Sequence, residues 1–169
     1  MVRSVVFVCM LASGIGACAK KQQTIPGTRI PDTAMNQDVL KVLETYRNAV
    51  ESGDAKTLLL LASENYREDG GTPSIADDYG YEGLKDVLAS RFQRVSDVRY
   101  SLRYQHIRRE CPSEGRDLTP GCLARVEVLV DASFTVKDMN DSARRPDKRD
   151  QNELVLEWNG DKWLIVAGM

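Results

Sequence analysis

The chain has 169 residues, 42% of them hydrophobic and 28% charged, which suits one globular domain with a packed core and is too short for two comfortable ones. Its 23 basic and 25 acidic side chains leave a formal charge of −2. Such a balance has no basic footprint, so nucleic acid is not the expected partner.

Arg3 precedes a 14-residue apolar stretch, SVVFVCMLASGIGA, that ends in small residues. It falls short of the ~20 residues that a permanent bilayer-crossing helix needs, and it reads as a secretory signal over residues 1–17. Its end, IGAC, has an aliphatic residue, two small ones and Cys18, and it resembles the lipobox of bacterial lipoproteins. The resemblance implies cleavage before Cys18 and a thioether-linked diacylglycerol on its sulfur, a natural fate for a nucleophilic thiolate. It also implies attachment to the cell envelope, at the outer membrane facing the periplasm. Acyl chains contribute ~0.8 kcal/mol per buried CH₂, so several of them anchor stably. Two other readings stand beside this one: Ala17–Cys18–Ala19 also satisfies the A-x-A rule of ordinary signal cleavage, and an uncleaved anchor is the third.

Residues 18–35 contain two prolines and a glycine and show no periodicity; they read as a lipidated N-terminus and flexible tether. The folded domain is expected over 36–169. It opens with NQDVLKVLETYRNAVESGD, where Val39, Val42, Leu43, Tyr46 and Val50 recur at helical spacing. Asn36 is the expected N-cap, and Gly53 ends the helix. Asp54 caps a second helix, AKTLLLLASEN. The loop YREDGGTPSIADDYG follows. A third helix, YEGLKDVLASRFQRV, has Leu84, Val87, Leu88, Phe92 and Val95 on one side.

The period then changes to two. In DVRYSLRYQHIR, the residues Val98, Tyr100, Leu102, Tyr104 and His106 share the inward face, with Arg99, Arg103 and Gln105 opposite. Removing Cys9 with the signal and giving Cys18 to lipid leaves Cys111 and Cys122, eleven positions apart. In an exported chain these read as a disulfide across a hairpin loop; the competing metal or redox pair lacks a CxxC spacing or a histidine cluster. Alternation resumes through Val126, Val128, Val130, Phe134 and Val136. A charged loop, DMNDSARRPDKRD, precedes ELVLEWNGDKWLIVAG, two strands joined across Asn159–Gly160. Helices followed by an antiparallel meander make the fold class α+β, a curved sheet wrapped around three N-terminal helices.

This order, with the SGD turn between the first two helices and the Trp-rich closing hairpin, resembles the nuclear-transport-factor-2-like superfamily, including SnoaL-like and ketosteroid-isomerase-like domains. The resemblance implies a cone with a pocket at its wide end, a fold that hosts enzymes, binding modules and assembly domains alike. In the isomerases, a helix tyrosine and a protonated strand aspartate form an oxyanion hole and another aspartate is the base. Tyr46 matches the tyrosine and Asp69, in YREDGG, matches the base within one residue. The strand position falls on Leu154, with Glu153 on the opposite face. A missing donor of this kind costs about 100-fold or more in rate.

The expected function is therefore a binding or assembly module for a small ligand or envelope partner. Tyr46, Tyr104, His106, Phe134 and Trp158 are its expected pocket walls. The alternative is a small-molecule isomerase or lyase using Asp69 as general base, with Tyr46 and His106. No cofactor or metal is expected: Asp69, Asp77 and Asp78 lack the spacing and terminal glutamate of an EF-hand. The resemblance also implies sheet-to-sheet pairing, and so a homodimer in which arginines such as Arg103 meet acids such as Glu127.

Overall fold

The structure, a computed structural model, describes residues 23–69, 77–112, 117–137 and 143–169. Helix α1 (Ala34–Ser52) is followed by α2 (Ala55–Leu61) and, after a small antiparallel arm of β1 (Arg67–Glu68) and β2 (Tyr79–Gly80), by α3 (Tyr81–Arg94). A five-stranded antiparallel sheet completes the chain: β3 (Val95–Glu110), β4 (Leu123–Lys137), β5 (Ala143–Arg144), β6 (Asp147–Trp158) and β7 (Trp163–Ala167). The strands lie in the order β3-β4-β6-β7, with β5 on β4.

The helical spacing read from the sequence is the buried stripe of α1: Val39, Leu43, Tyr46 and Ala49 are buried, together with Leu40. The cap is Thr33 rather than Asn36. Thr33 has extended backbone angles and its hydroxyl accepts from the Asn36 N–H, whereas the Asn36 side chain donates to the Pro31 carbonyl at 2.8 Å. Gly53, at φ 68°, ends the helix in the left-handed conformation that glycine adopts without a Cβ clash. Asp54 caps α2 through the Thr57 N–H.

Part of the expected tether folds onto the domain. The Ile25 N–H donates to the Ile30 carbonyl at 2.9 Å, the Asp32 N–H donates to the Gln23 carbonyl at 2.9 Å, and Ile30 is 1% exposed. The apolar side chains of this prolyl turn supply the reason: both isoleucines pack against the core.

On the sheet, one face is apolar. Ala124, Val126 and Val128 on β4, Leu154 and Leu156 on β6, and Trp163 and Ile165 on β7 are buried against Leu43, Leu58, Leu84 and Leu88 of the helices. The sheet curves around the three helices without closing, an α+β cone. Two irregularities of β3 set its faces: the register slips between Ser96 and Arg99 and between Tyr104 and His106. The edge at β7 is covered, since the Ser63 N–H donates to the Ile165 carbonyl at 2.8 Å. Cys111 and Cys122 form a disulfide, and beside it Trp158 and Trp163 meet across the last hairpin with ring centroids 5.6 Å apart and planes tilted by 57°. The Trp158 N–H donates to the Cys122 carbonyl at 2.8 Å, which fixes the narrow end of the cone. Among the described residues no helix is long and apolar enough to cross a membrane.

Candidate functional site

The wide end holds a cavity of about 770 Å³. Its floor is apolar and aromatic: Tyr46 from α1, Tyr100 from β3, and Val130 and Ala132 from β4. Its wall comes from β6, whose inward face changes character along its length. Leu156 and Leu154 are fully buried in the core, and the next inward positions by alternation, Asn152, Asp150 and Lys148, line the cavity. The rim adds Arg91 of α3 with Glu68, Asp69, Asp77 and Tyr79 around the β1–β2 arm.

The central feature is a pair of phenols. The Tyr46 and Tyr100 hydroxyls are 3.4 Å apart, and the rings meet edge to face with centroids 6.1 Å apart. Burial pushes the Tyr46 hydroxyl well above its ordinary value, and Tyr100 adds to the effect. Burial also raises Tyr100. Both remain protonated donors in neutral solution. Among the described residues neither hydroxyl has another hydrogen-bond partner, so the pair holds two protons and shares one bond. One O–H is left to donate.

Beside the pair, the last residues are strapped across the mouth. The Tyr66 hydroxyl donates to Glu68 Oε2 at 2.7 Å, and the Gly168 N–H donates to the same oxygen at 3.1 Å. The Met169 N–H donates to the Tyr66 hydroxyl at 3.0 Å, and Asn152 donates to the Gly168 carbonyl at 2.9 Å. Burial and the bond to Glu68 both push the Tyr66 hydroxyl up. This network fixes Glu68, so it serves as a brace for the strap, and Met169 forms part of the cavity lining.

The structure brings together two of the residues singled out in the sequence, Tyr46 and Asp69, the latter exposed on the rim. The other expected wall residues lie elsewhere. His106 is exposed, because the bulge at Gln105 turns it to the outer face opposite Glu127 while Ile107 takes the inward place opposite Val126. Tyr104 faces inward, but its hydroxyl donates to Glu44 at 2.6 Å on the seam with α1. Trp158 belongs to the narrow end. Phe134 sits half-buried on β4, past Ala132 and outside the lining residues. Leu154 is fully buried, and Glu153 accepts from Arg125 at 2.9 Å on the outer face, so the strand position matched to the isomerase acid presents no carboxyl to the cavity.

Tyr100 and the polar wall were missed as site residues. Lys148, Asp150 and Asn152 lie before the expected start of the strand, in a stretch whose charge reads as loop; counting back by twos from Leu154 is the signal that finds them.

No known family profile matches the chain, and no curated protein does. Solved structures do match it in fold. A conserved protein from Planctomyces limnophilus superposes with a TM-score of 0.62 at 14% identity, over 80% of this chain and 93% of that one. A ketosteroid isomerase-like protein from Erwinia carotovora atroseptica gives 0.59 at 14% identity, over 81% and 95%. A protein from Streptomyces avermitilis, provisionally described as a dehydratase of the NTF2-like family, gives 0.54 at 15% identity, over 79% and 92%. The shared architecture is the NTF2-like α+β cone.

Proposed function

We propose that the protein is a lipid-anchored binding module of the bacterial cell envelope, whose open cone takes a small ligand by an oxygen acceptor on the Tyr46–Tyr100 pair. The observation that supports it is the uncommitted O–H above an apolar floor, since a buried donor gains from an acceptor brought by a ligand. A carbonyl, carboxylate or phenolic oxygen meets that need, and the polar wall of Asn152, Asp150 and Lys148 suits further hydroxyl or amine groups on the same ligand. The test is a thermal-shift panel of phenols, cyclic ketones and small carboxylates, followed by titration. Tyr46→Phe and Tyr100→Phe are each expected to weaken the best binder roughly tenfold, the equivalent of one hydrogen bond. A panel without a binder, or a binder indifferent to both substitutions, overturns the reading.

A second reading makes the cone an isomerase or dehydratase, with Asp69 as general base. Its support is the presence of Asp69 on the rim of the cavity that holds the phenol pair, together with the ketosteroid isomerase-like neighbour in fold. Against it stand the solvent-exposed position of Asp69 and the apolar Leu154 where a strand acid would complete the site. Proton exchange next to the carbonyl of a bound ketone, followed by NMR in D₂O, separates the two. Exchange abolished by Asp69→Asn with binding intact establishes the enzyme.

The anchor reading rests on Cys18, which lies outside the described residues. The Cys111–Cys122 disulfide supports an oxidising, exported location. Intact mass measurement is expected to show acyl groups on the membrane-bound protein, and Cys18→Ser is expected to release it in soluble form.

A further inference from the structure

We infer that the disulfide end of the cone is the surface that faces the lipid bilayer, and that the cavity mouth opens away from it, toward soluble ligands. This rests on the proposed lipid at Cys18 and adds to it an orientation. The Asp32 N–H holds the Gln23 carbonyl at 2.9 Å, so the chain leaves the domain beside Thr33, the cap of α1. Only residues 19–22 separate that exit from Cys18. Five residue steps reach at most ~18 Å.

The exit lies at the end of the cone opposite the mouth. Helix α1 runs antiparallel to β3: Glu44 meets Tyr104, and farther along Glu51 accepts from the Tyr100 N–H at 3.3 Å. The start of the helix therefore lies toward Glu110 and the disulfide, and its end toward the mouth. The 19-residue helix spans roughly 27 Å from its cap to its last turn, and Leu123, next to the disulfide, is separated from Ala132 by roughly 30 Å of β4. To turn the mouth onto the membrane, the leash would have to run back along the whole domain. It is too short. The residues that pack Ile25 and Ile30 into the core therefore do more than stabilise the fold; they shorten the leash and set the direction of the site. The charged rim of Arg91, Lys148, Asp150, Asp69 and Asp77 then faces water, which favours a soluble, polar ligand over an acyl chain drawn from the bilayer.

The test uses the full lipidated chain in vesicles of phosphatidylethanolamine and phosphatidylglycerol doped with a headgroup nitroxide. One fluorophore is placed through Arg29→Cys, next to the exit, and another through Arg144→Cys, beyond the mouth; both positions are exposed. The expected result is strong quenching at position 29 and little at 144. A glycine-serine insertion of about ten residues after Lys21, adding roughly 35 Å of reach, is expected to bring the two signals together. Equal quenching at both positions without the insertion overturns the orientation while leaving the anchor standing. A chain that fails to float with vesicles and lacks acyl mass overturns the anchor and the orientation with it.

Discussion

Glu44 shows how a single side chain ties helix to sheet. Burial alone would raise its carboxyl, but the hydrogen bonds from Tyr104 and Arg47 outweigh that and hold it below the ordinary value of 4.5. A lowered folded value means the carboxylate is favoured more in the folded state than in the unfolded chain. Its contribution is complete above pH 4.5 and fades as pH falls through the lower folded value. Because the group is largely exposed, solvent screening keeps the effect small. Urea midpoints measured at pH 7 and pH 3 are expected to differ less in Glu44→Gln than in the parent chain. Gly168 is a stricter case. Its φ is 91°, and a Cβ there would stand 2.1 Å from the Glu153 carbonyl oxygen. Gly168→Ala is expected to cost about 1–3 kcal/mol in urea unfolding and to pull Met169 out of the cavity, because the alanine must leave the strap to fit.

Among the elements, the long β3–β4 ribbon was legible in its alternation but not in its slips. Period two places His106 inward, and one extra residue at Gln105 sends it out; nothing in the side-chain pattern marks that residue, since Gln, His and Arg are all tolerated at a bulge. The ribbon's far end is closed by Cys111–Cys122. A loop of this length loses roughly 3 kcal/mol of unfolded-state entropy on cross-linking. Replacing both cysteines by serine is expected to lower stability by about that amount in chemical denaturation, with the sheet signal in circular dichroism retained. An unchanged midpoint would show that the loop is already constrained without the bond. At α1, the cap lies three residues before the expected Asn36, because the Thr33 hydroxyl accepts from the Asn36 N–H while the Asn36 side chain donates to the Pro31 carbonyl.

At the scale of the molecule, one core joins the helices to the sheet, and α1 is its centre. Leu43 is fully buried against the strands. Leu43→Ala is expected to cost about 2–5 kcal/mol, with helical circular dichroism and tryptophan fluorescence lost in a single transition; two separate transitions would contradict a shared core. The cavity exists because that core stops short. Apolar side chains fill the narrow end, and the inward face of β6 turns polar from Asn152 outward, so the helices and sheet diverge around water-compatible groups. The outer face has charge of its own, in the chain Arg108–Glu110–Arg125–Glu153 across three strands, which satisfies those side chains without a ligand.

The sequence by itself determined the order of the three helices and of β3, β4, β6 and β7, the α+β class, the apolar stripes of the helices and the alternating face of the strands, because periodicity is a local property that each segment must satisfy to bury its own apolar side; the short strands β1, β2 and β5 lie in stretches read as loops. It also singled out Tyr46 and Asp69. Only the tertiary structure decided which inward residues reach the cavity and which are absorbed by the core or by a partner such as Glu44. It also showed that the turn at residues 23–33 belongs to the domain. Those outcomes depend on bulge position, strand register and the meeting of segments far apart in the chain, and none of these leaves a periodic trace.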